Sequence, residues 1–213
     1  MNTQIALFPI PNVVAFPGAT VPLHVFEPRY RTMVHEAVRD ERMIGVTHTR
    51  KQIHAGQRKQ TLEDSLASNQ ATYQPFDVFG AGRCEIVDLT EDGRIHALVH
   101  TAGRYRILEE VQTLPYRIVS AVEIEDDVTD NLAEDGDLQQ RINNRLIGVA
   151  RKHNAALLQV LEDDKWLAQS PSQYSFKVFQ LVRFEADTLQ EVLEMTNVTQ
   201  RLRLIDAVLR SAT

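Results

Sequence analysis

Val21-Pro22-Leu23-His24-Val25-Phe26-Glu27-Pro28-Arg29-Tyr30 closes an opening that also holds two shorter apolar runs, Ile5-Ala6-Leu7-Phe8-Pro9-Ile10 and Val13-Val14-Ala15-Phe16-Pro17-Gly18. No Asp, Glu, Lys or Arg occurs from Met1 to Phe26. A membrane helix needs about 20 apolar residues, but Pro9, Pro11, Pro17 and Pro22 each remove a backbone donor and break a helix. No basic residue precedes the apolar part, so a secretory leader is not expected. The stretch reads instead as two extended segments joined by a turn at Pro17-Gly18, with the prolines marking a broken sheet edge. Glu27-Pro28 then starts a helix, because proline suits the first turn. Tyr30, Met33, Val34, Ala37 and Val38 give that helix one apolar face.

Charge divides the chain. Residues 1–122 carry 13 basic and 13 acidic side chains, and residues 123–213 carry 10 and 16, which supplies the whole net charge of −6. Neither part has the basic surplus that attraction to phosphate backbones requires. Nucleic acid is therefore a disfavoured partner. Cys84 is the only cysteine, so an intrachain disulfide and a cysteine metal cage are both excluded. With no leader expected, this points to the cytoplasm.

From Phe76 to Glu125 the pattern is β. Cys84, Ile86, Val87 and Leu89 lead into Glu91-Asp92-Gly93, where Asp-Gly is a strong hairpin signal. Ile95, Ala97 and Val99 alternate, Gly103 to Leu108 reads as a following strand, and Tyr116 to Ile124 alternates again. Short strands with tight turns indicate a small closed or half-closed barrel. Residues 50–75 form a polar insertion.

Glu123 to Asp137 is densely acidic, and no Lys or Arg occurs from Ile118 to Gln140, so 126–137 reads as an exposed linker. Beyond it the period becomes helical. Leu138, Ile142, Leu146, Val149, His153, Ala156 and Val160 predict one long helix. Pro171 opens a second, Thr188 to Met195 reads as a short third, and Asn197-Val198-Thr199-Gln200 caps a fourth. The expected class is α+β, with a β barrel domain over 1–125 and a helical bundle over 138–213.

The opening resembles the amino-terminal substrate-binding domain of Lon proteases, most closely the small proteins that carry this domain without the protease. Asp92-Gly93, Gly103 to Ile107 and Tyr116 to Glu125 match the family's hairpin, Gly-then-Arg strand and Tyr-led strand in order. Arg201-Leu202 matches an Arg-Leu pair in its helical tail. The resemblance covers nearly the whole chain apart from 50–75. It implies a PUA-like barrel followed by the bundle. It makes Pro17, Gly18, Phe26, Glu27, Pro28, Arg29, Tyr30, Gly103 and Arg106 a structural family motif. It also implies a module that recognises unfolded or exposed polypeptide segments, in the manner of an adaptor in protein quality control.

The chemistry of a whole Lon protease is not expected. No Gly-x-x-x-x-Gly-Lys-Ser/Thr phosphate loop occurs, and the length leaves no room for a serine–lysine protease domain. No Gly-x-Ser-x-Gly elbow occurs either. No cofactor and no metal is therefore assigned, and the chain reads as a non-enzyme. Phe16, Leu23, Phe26, Tyr73, Phe76 and Phe79 are the candidate apolar peptide contacts. Two alternatives remain. A PUA-like barrel could bind nucleotide or nucleic acid if Arg83, Arg94, Arg104, Arg106 and Arg117 share a face. A metal-dependent enzyme could use His96 and His100, which lie four apart on a strand and so on one face, with His48 and His54 approaching through the loop. The sequence assigns no oligomeric state.

Overall fold

The computed structural model describes residues 2–54, 72–128, 131–182 and 184–211. Most of the polar insertion, residues 55–71, lies outside them. The chain divides into two units, one of residues 1–124 with 185–193 and one of residues 125–184 with 194–213.

The first unit is built on a six-stranded sheet. Its members are β1 (Thr3–Pro9), β2 (Thr20–Val25), β3 (Ile44–Thr47), β6 (Val78–Leu89), β7 (Ile95–Gln112) and β8 (Ile118–Glu123), with β4 (Thr49–His54) and β5 (Thr72–Pro75) forming a separate pair. The order is β2-β7-β6-β3-β1-β8, and β7 also pairs with β8. The strands β7, β6, β3, β1 and β8 therefore pair in a closed circuit. The length of β7 makes this possible. Its first part, Ile95 to His100, carries β2, and its later part, Tyr105 to Gln112, carries β8. Sequence alternation splits this span into two strands, but it is one strand of 18 residues. Register shifts at Ala81/Gly82 and Ile107/Glu109 mark where the ladder is irregular, and such irregularities bend strands.

β1 is an inner strand rather than an edge. It pairs with β3 in parallel, Ala6 opposite Ile44, and with β8 in antiparallel, Ile5 opposite Val119. Pro9 is tolerated because it ends the strand. The pleat sends Ile5 and Leu7 into one buried cluster with Phe79 and Tyr105, and Ala6 into another with Val25, Met33 and Ile95. Each large aliphatic side chain buried in this way contributes about 1.5–3 kcal/mol. The turn before β2 relies on Gly18, whose φ of 78° suits glycine. The expected Asp92-Gly93 hairpin is present, with Gly93 at φ 77° between β6 and β7.

Helix α1 (Pro28–Arg39) starts at Pro28 as expected and buries Met33, Val34 and Ala37. The same unit contains a late segment. Helix α6 (Ala186–Glu194) belongs to it except for its last residue, although periodicity groups this segment with the terminal bundle. Gln190 Nε2 donates to the Val78 carbonyl at 2.9 Å, and Arg104 Nη1 donates to the Leu193 carbonyl at 2.8 Å.

The second unit contains α2 (Leu132–His153), α3 (Ala155–Leu161), α4 (Asp164–Leu167), α5 (Pro171–Lys177) with one 3-10 turn after it (Val178–Gln180), and α7 (Val198–Ser211). The single helix predicted over 138–160 is broken at Asn154, which has extended backbone and caps α3 by accepting from Leu157 N–H at 3.0 Å. His153, just before the break, and Ala156 and Val160 past it are exposed. Leu138, Ile142, Leu146 and Ala150 form the buried face of α2. Asn197 caps α7 through Gln200 N–H at 2.9 Å, as the motif predicts. The acidic run differs from the expected solvated linker. Asp126 is ion-paired with Arg201, and Asp135 is buried and accepts from Thr199 Oγ1 at 2.6 Å.

Candidate functional site

The first unit has an apolar groove of about 390 Å³, between the end of β1, the segment after it, β2 and the start of α1. The opening sequence builds every wall. Phe8, Pro9, Ile10 and Val13 form one side, Leu23 and Val25 the floor, and Phe26, Glu27, Arg29 and Tyr30 the far end. Tyr30 is buried and stacks on Phe8 with centroids 4.5 Å apart. Arg29 is only 5 % exposed and lies 4.5 Å over the Tyr30 ring. Its charge is met by Glu27, Nε donating to Oε2 at 2.9 Å. Among the described residues that line it, Glu27 and Arg29 are the only Asp, Glu, Lys or Arg, and they neutralise one another, so the groove presents an apolar surface. Phe26 is 61 % exposed at its end. A large exposed aromatic beside an apolar cleft marks an interaction surface more than a folding requirement.

β2 adds backbone to this surface. The Ala19 carbonyl accepts from Thr101 N–H at 2.9 Å, so odd-numbered residues along β2 turn their backbone groups towards β7. Thr20, Pro22 and His24 then turn theirs away, and all three are exposed. Pro22 has no N–H to offer, which shortens the usable edge and blunts indiscriminate strand pairing.

The candidate contacts separate. Leu23 and Phe26 line the groove, but Phe16 and Phe79 are 4 % and 0 % exposed and serve the core. Phe76 is partly buried, stacked on His48 at 5.1 Å with the Arg50 guanidinium 4.9 Å over its ring. The Tyr73 side chain lies outside the described residues. Of the motif residues, Gly103 stands where a Cβ would come within 2.6 Å of Glu123 Oε1, and Arg106 is exposed on β7 opposite Val78. Sequence reasoning missed Phe8, Ile10 and Val13 as groove walls. Their signal was the proline spacing itself, which stops β1 and leaves an irregular apolar segment beside β2.

The five arginines do not share one role. Arg104 is buried, Arg83 pairs with Glu41 at 3.5 Å, Arg94 with Asp92 at 2.9 Å and Arg117 with Glu110 at 3.9 Å. The histidines are dispersed as well. His96 faces Asp88 at 3.7 Å and meets the His24 ring edge-on at 4.8 Å between centroids, while His100 faces Glu85 at 3.3 Å. His48 is buried elsewhere, its Nδ1 accepting from Asn12 N–H at 3.0 Å; the side chain of His54 lies outside the described residues. Among the described residues no group of three or more His, Cys, Asp or Glu side chains is arranged to hold a metal. Cys84 is partly buried, and burial, with Glu85 adding to it, pushes its thiol up to about 11. A protonated thiol is a poor nucleophile at neutral pH. No helix among the described residues is long and apolar enough to cross a membrane.

Comparison with known proteins adds the following. The family model described as the ATP-dependent protease La (LON) substrate-binding domain matches residues 4–210. The Lon protease of Syntrophus aciditrophicus is 26 % identical over 207 residues, covering 95 % of this chain and 24 % of that protein. Lon protease 2 of Myxococcus xanthus is 25 % identical over 202 residues, covering 93 % and 22 %. The chain thus spans about a quarter of the length of these relatives. Among solved structures, the Lon N-terminal domain protein from Xanthomonas campestris aligns with a TM-score of 0.64 at 20 % identity, covering 96 % of this chain and 98 % of that one. The N-terminal domain of the Mycobacterium avium complex Lon protease aligns with a TM-score of 0.69 at 13 % identity, covering 99 % and 100 %.

Proposed function

The chain belongs to the LON substrate-binding domain family, and from that premise we propose that it is a non-catalytic module that recognises exposed apolar segments of polypeptides. The observation that carries the reading is Phe26, 61 % exposed at the end of an apolar groove whose single ion pair is internal. An unfolded chain offers apolar side chains and unpaired backbone together. The groove meets the first, and the outward backbone of Thr20 and His24 on β2 meets the second. Leu23 and Phe26 are the proposed contacts from the original six, joined by Phe8 and Val13. Phe16 and Phe79 are buried and are not proposed as contacts.

The closed strand circuit is read here as PUA-like, and the module as an adaptor in cytoplasmic protein quality control, delivering chains rather than processing them. A lone free thiol suits that compartment.

The test is fluorescence anisotropy with a dye-labelled, reduced and carboxymethylated protein as the permanently unfolded ligand. Saturable binding is expected, weakened several-fold by Phe26→Ala. No binding at high micromolar protein, or identical binding by Phe26→Ala, overturns the reading.

A further inference from the structure

The helical unit has a concavity of its own, about 660 Å³, bounded by α2, the α3–α4 corner and the start of α5. Its lining is of two chemical kinds. Ile147, Leu161, Trp166 and Leu167 give apolar surface, while Gln139, Gln140, Asn143, Asn144 and Gln169 give carboxamides. Among the described lining residues Glu162 is the one that carries a charge, and Arg151 stands 3.7 Å from it.

Part of the carboxamide set is already engaged. Asn143 Oδ1 accepts from Trp166 Nε1 at 2.9 Å, and Asn143 Nδ2 donates to the Leu161 carbonyl at 3.3 Å. Gln139 Nε2 donates to the Gln169 carbonyl at 3.1 Å. These bonds hold the walls. Two buried polar atoms of the lining are left without a partner, the Tyr174 hydroxyl and Gln169 Oε1. Tyr174 is 1 % exposed, and burial pushes its hydroxyl well above the usual phenol range, so it is a donor at any physiological pH. Burying polar groups unpaired is costly, and a site that binds something is a reason to retain them.

We propose that this groove is a second binding site, for a short uncharged apolar stretch of extended polypeptide. As the segment parts the groove walls, the Tyr174 hydroxyl donates to one of its backbone carbonyls, Gln169 Oε1 accepts from a backbone N–H, and apolar side chains lie over Trp166 and Ile147. A carboxamide carries a donor and an acceptor, as a peptide group does, so such a lining reads backbone and not sequence. A charged segment would lose its hydration and find no free counter-charge among the lining residues. The inference rests on the polypeptide-recognition reading, but on a different unit and different residues.

The probe is the capped tetrapeptide acetyl-Leu-Ala-Leu-Ala-amide, titrated into the whole chain. Trp166, the only tryptophan, reports occupancy by its fluorescence. Tyr174→Phe and Gln169→Ala are each expected to weaken binding by about three- to tenfold, the worth of one neutral hydrogen bond. Arg83→Ala, an exposed change in the first unit outside both grooves, is expected to leave it unchanged. Tyr174→Phe is expected to raise the melting temperature, which a hydroxyl with a merely structural bond would not allow. A capped peptide with lysine in place of both leucines is expected not to saturate. Equal affinity of wild type, Tyr174→Phe and Gln169→Ala, or equal binding of the lysine peptide, overturns the proposal. If the apolar peptide gives no saturable signal while the unfolded protein still binds through Phe26, this groove is refuted and the first reading stands. If the peptide binds through Tyr174 while the unfolded protein shows no Phe26 dependence, the first reading falls and this site stands.

Discussion

Arg201 clasps Asp126 through two parallel hydrogen bonds, Nη1 to Oδ1 at 2.8 Å and Nη2 to Oδ2 at 2.7 Å. The arginine side chain is 0 % exposed and the aspartate side chain 18 %. The guanidinium also donates to Ser175 Oγ at 2.7 Å and to the Met195 carbonyl at 2.8 Å, and lies 4.1 Å over the Phe176 ring. It ties the start of the helical unit to α5 and α7.

Removing one partner of such a pair leaves the other charge buried and uncompensated, which costs more than the pair itself contributes. Arg201→Met is expected to lower the unfolding free energy by about 3–5 kcal/mol. The double substitution Arg201→Met with Asp126→Leu is expected to recover much of that loss. Urea unfolding followed by circular dichroism measures both. A loss under about 1 kcal/mol for the single change would show that the pair is solvated and weak.

Gly82 predicts a second large effect. A Cβ there would fall inside the His100 carbonyl of the neighbouring strand. A flexible side chain could yield, but this is backbone, in the closed circuit and at a register shift. Gly82→Ala is expected to destabilise by about 3 kcal/mol or more, the upper range for overpacking. Gly136→Ala is the control. It meets nothing within 4 Å and lies in a helix, so it is expected to gain up to about 1 kcal/mol in helix propensity. Similar thermal shifts from the two would refute the close-approach argument.

Local signals in the sequence were legible because each acts over a few residues. Asp92-Gly93 marked a hairpin, Glu27-Pro28 a helix start and Asn197 a cap, and each is where the motif puts it. What failed depends on distance. Asp126 looks like part of a solvated acidic run because its partner stands 75 residues away. Helix α6 joins the strand unit through Arg104 and Gln190, and nothing in its own periodicity says which unit it covers. Phe26 and Phe79 share a residue type but stand at 61 % and 0 % exposure, a difference made by the corner at Pro28 and the inner position of β6. The carboxamides of α2 escaped notice because a polar helix face reads as solvent.

Cys84 carries a prediction in pH. Burial raises its thiol from 9.0 to about 11, so the folded state binds this proton more tightly than the unfolded chain does. The contribution to stability is intact below about pH 9 and is lost as pH rises towards 11. Alkylation by iodoacetamide is expected to be slow in the folded protein at pH 8 and to accelerate up to about pH 11, while the urea-unfolded chain reacts as an ordinary thiol. Equal rates folded and unfolded at pH 8 would show that the thiol is not shielded.

Tyr174→Phe separates stability from binding. The substitution deletes one oxygen from a side chain that is 1 % exposed, and that oxygen has no hydrogen-bond partner. The edge of the ring against Trp166, at 5.3 Å between centroids, is unchanged. A buried hydroxyl without a partner costs about 1–3 kcal/mol, so its removal is expected to stabilise the helical unit by about 1 kcal/mol. For a chain of this size that corresponds to a rise of about 2–4 °C in melting temperature. Urea and thermal unfolding of the whole chain give the value. A loss of about 1 kcal/mol instead would mean that the hydroxyl is bonded in the folded protein, and the groove would lose the atom that marks it as a binding site. A gain in stability paired with weaker peptide binding is the signature of a residue kept for what it binds rather than for the fold.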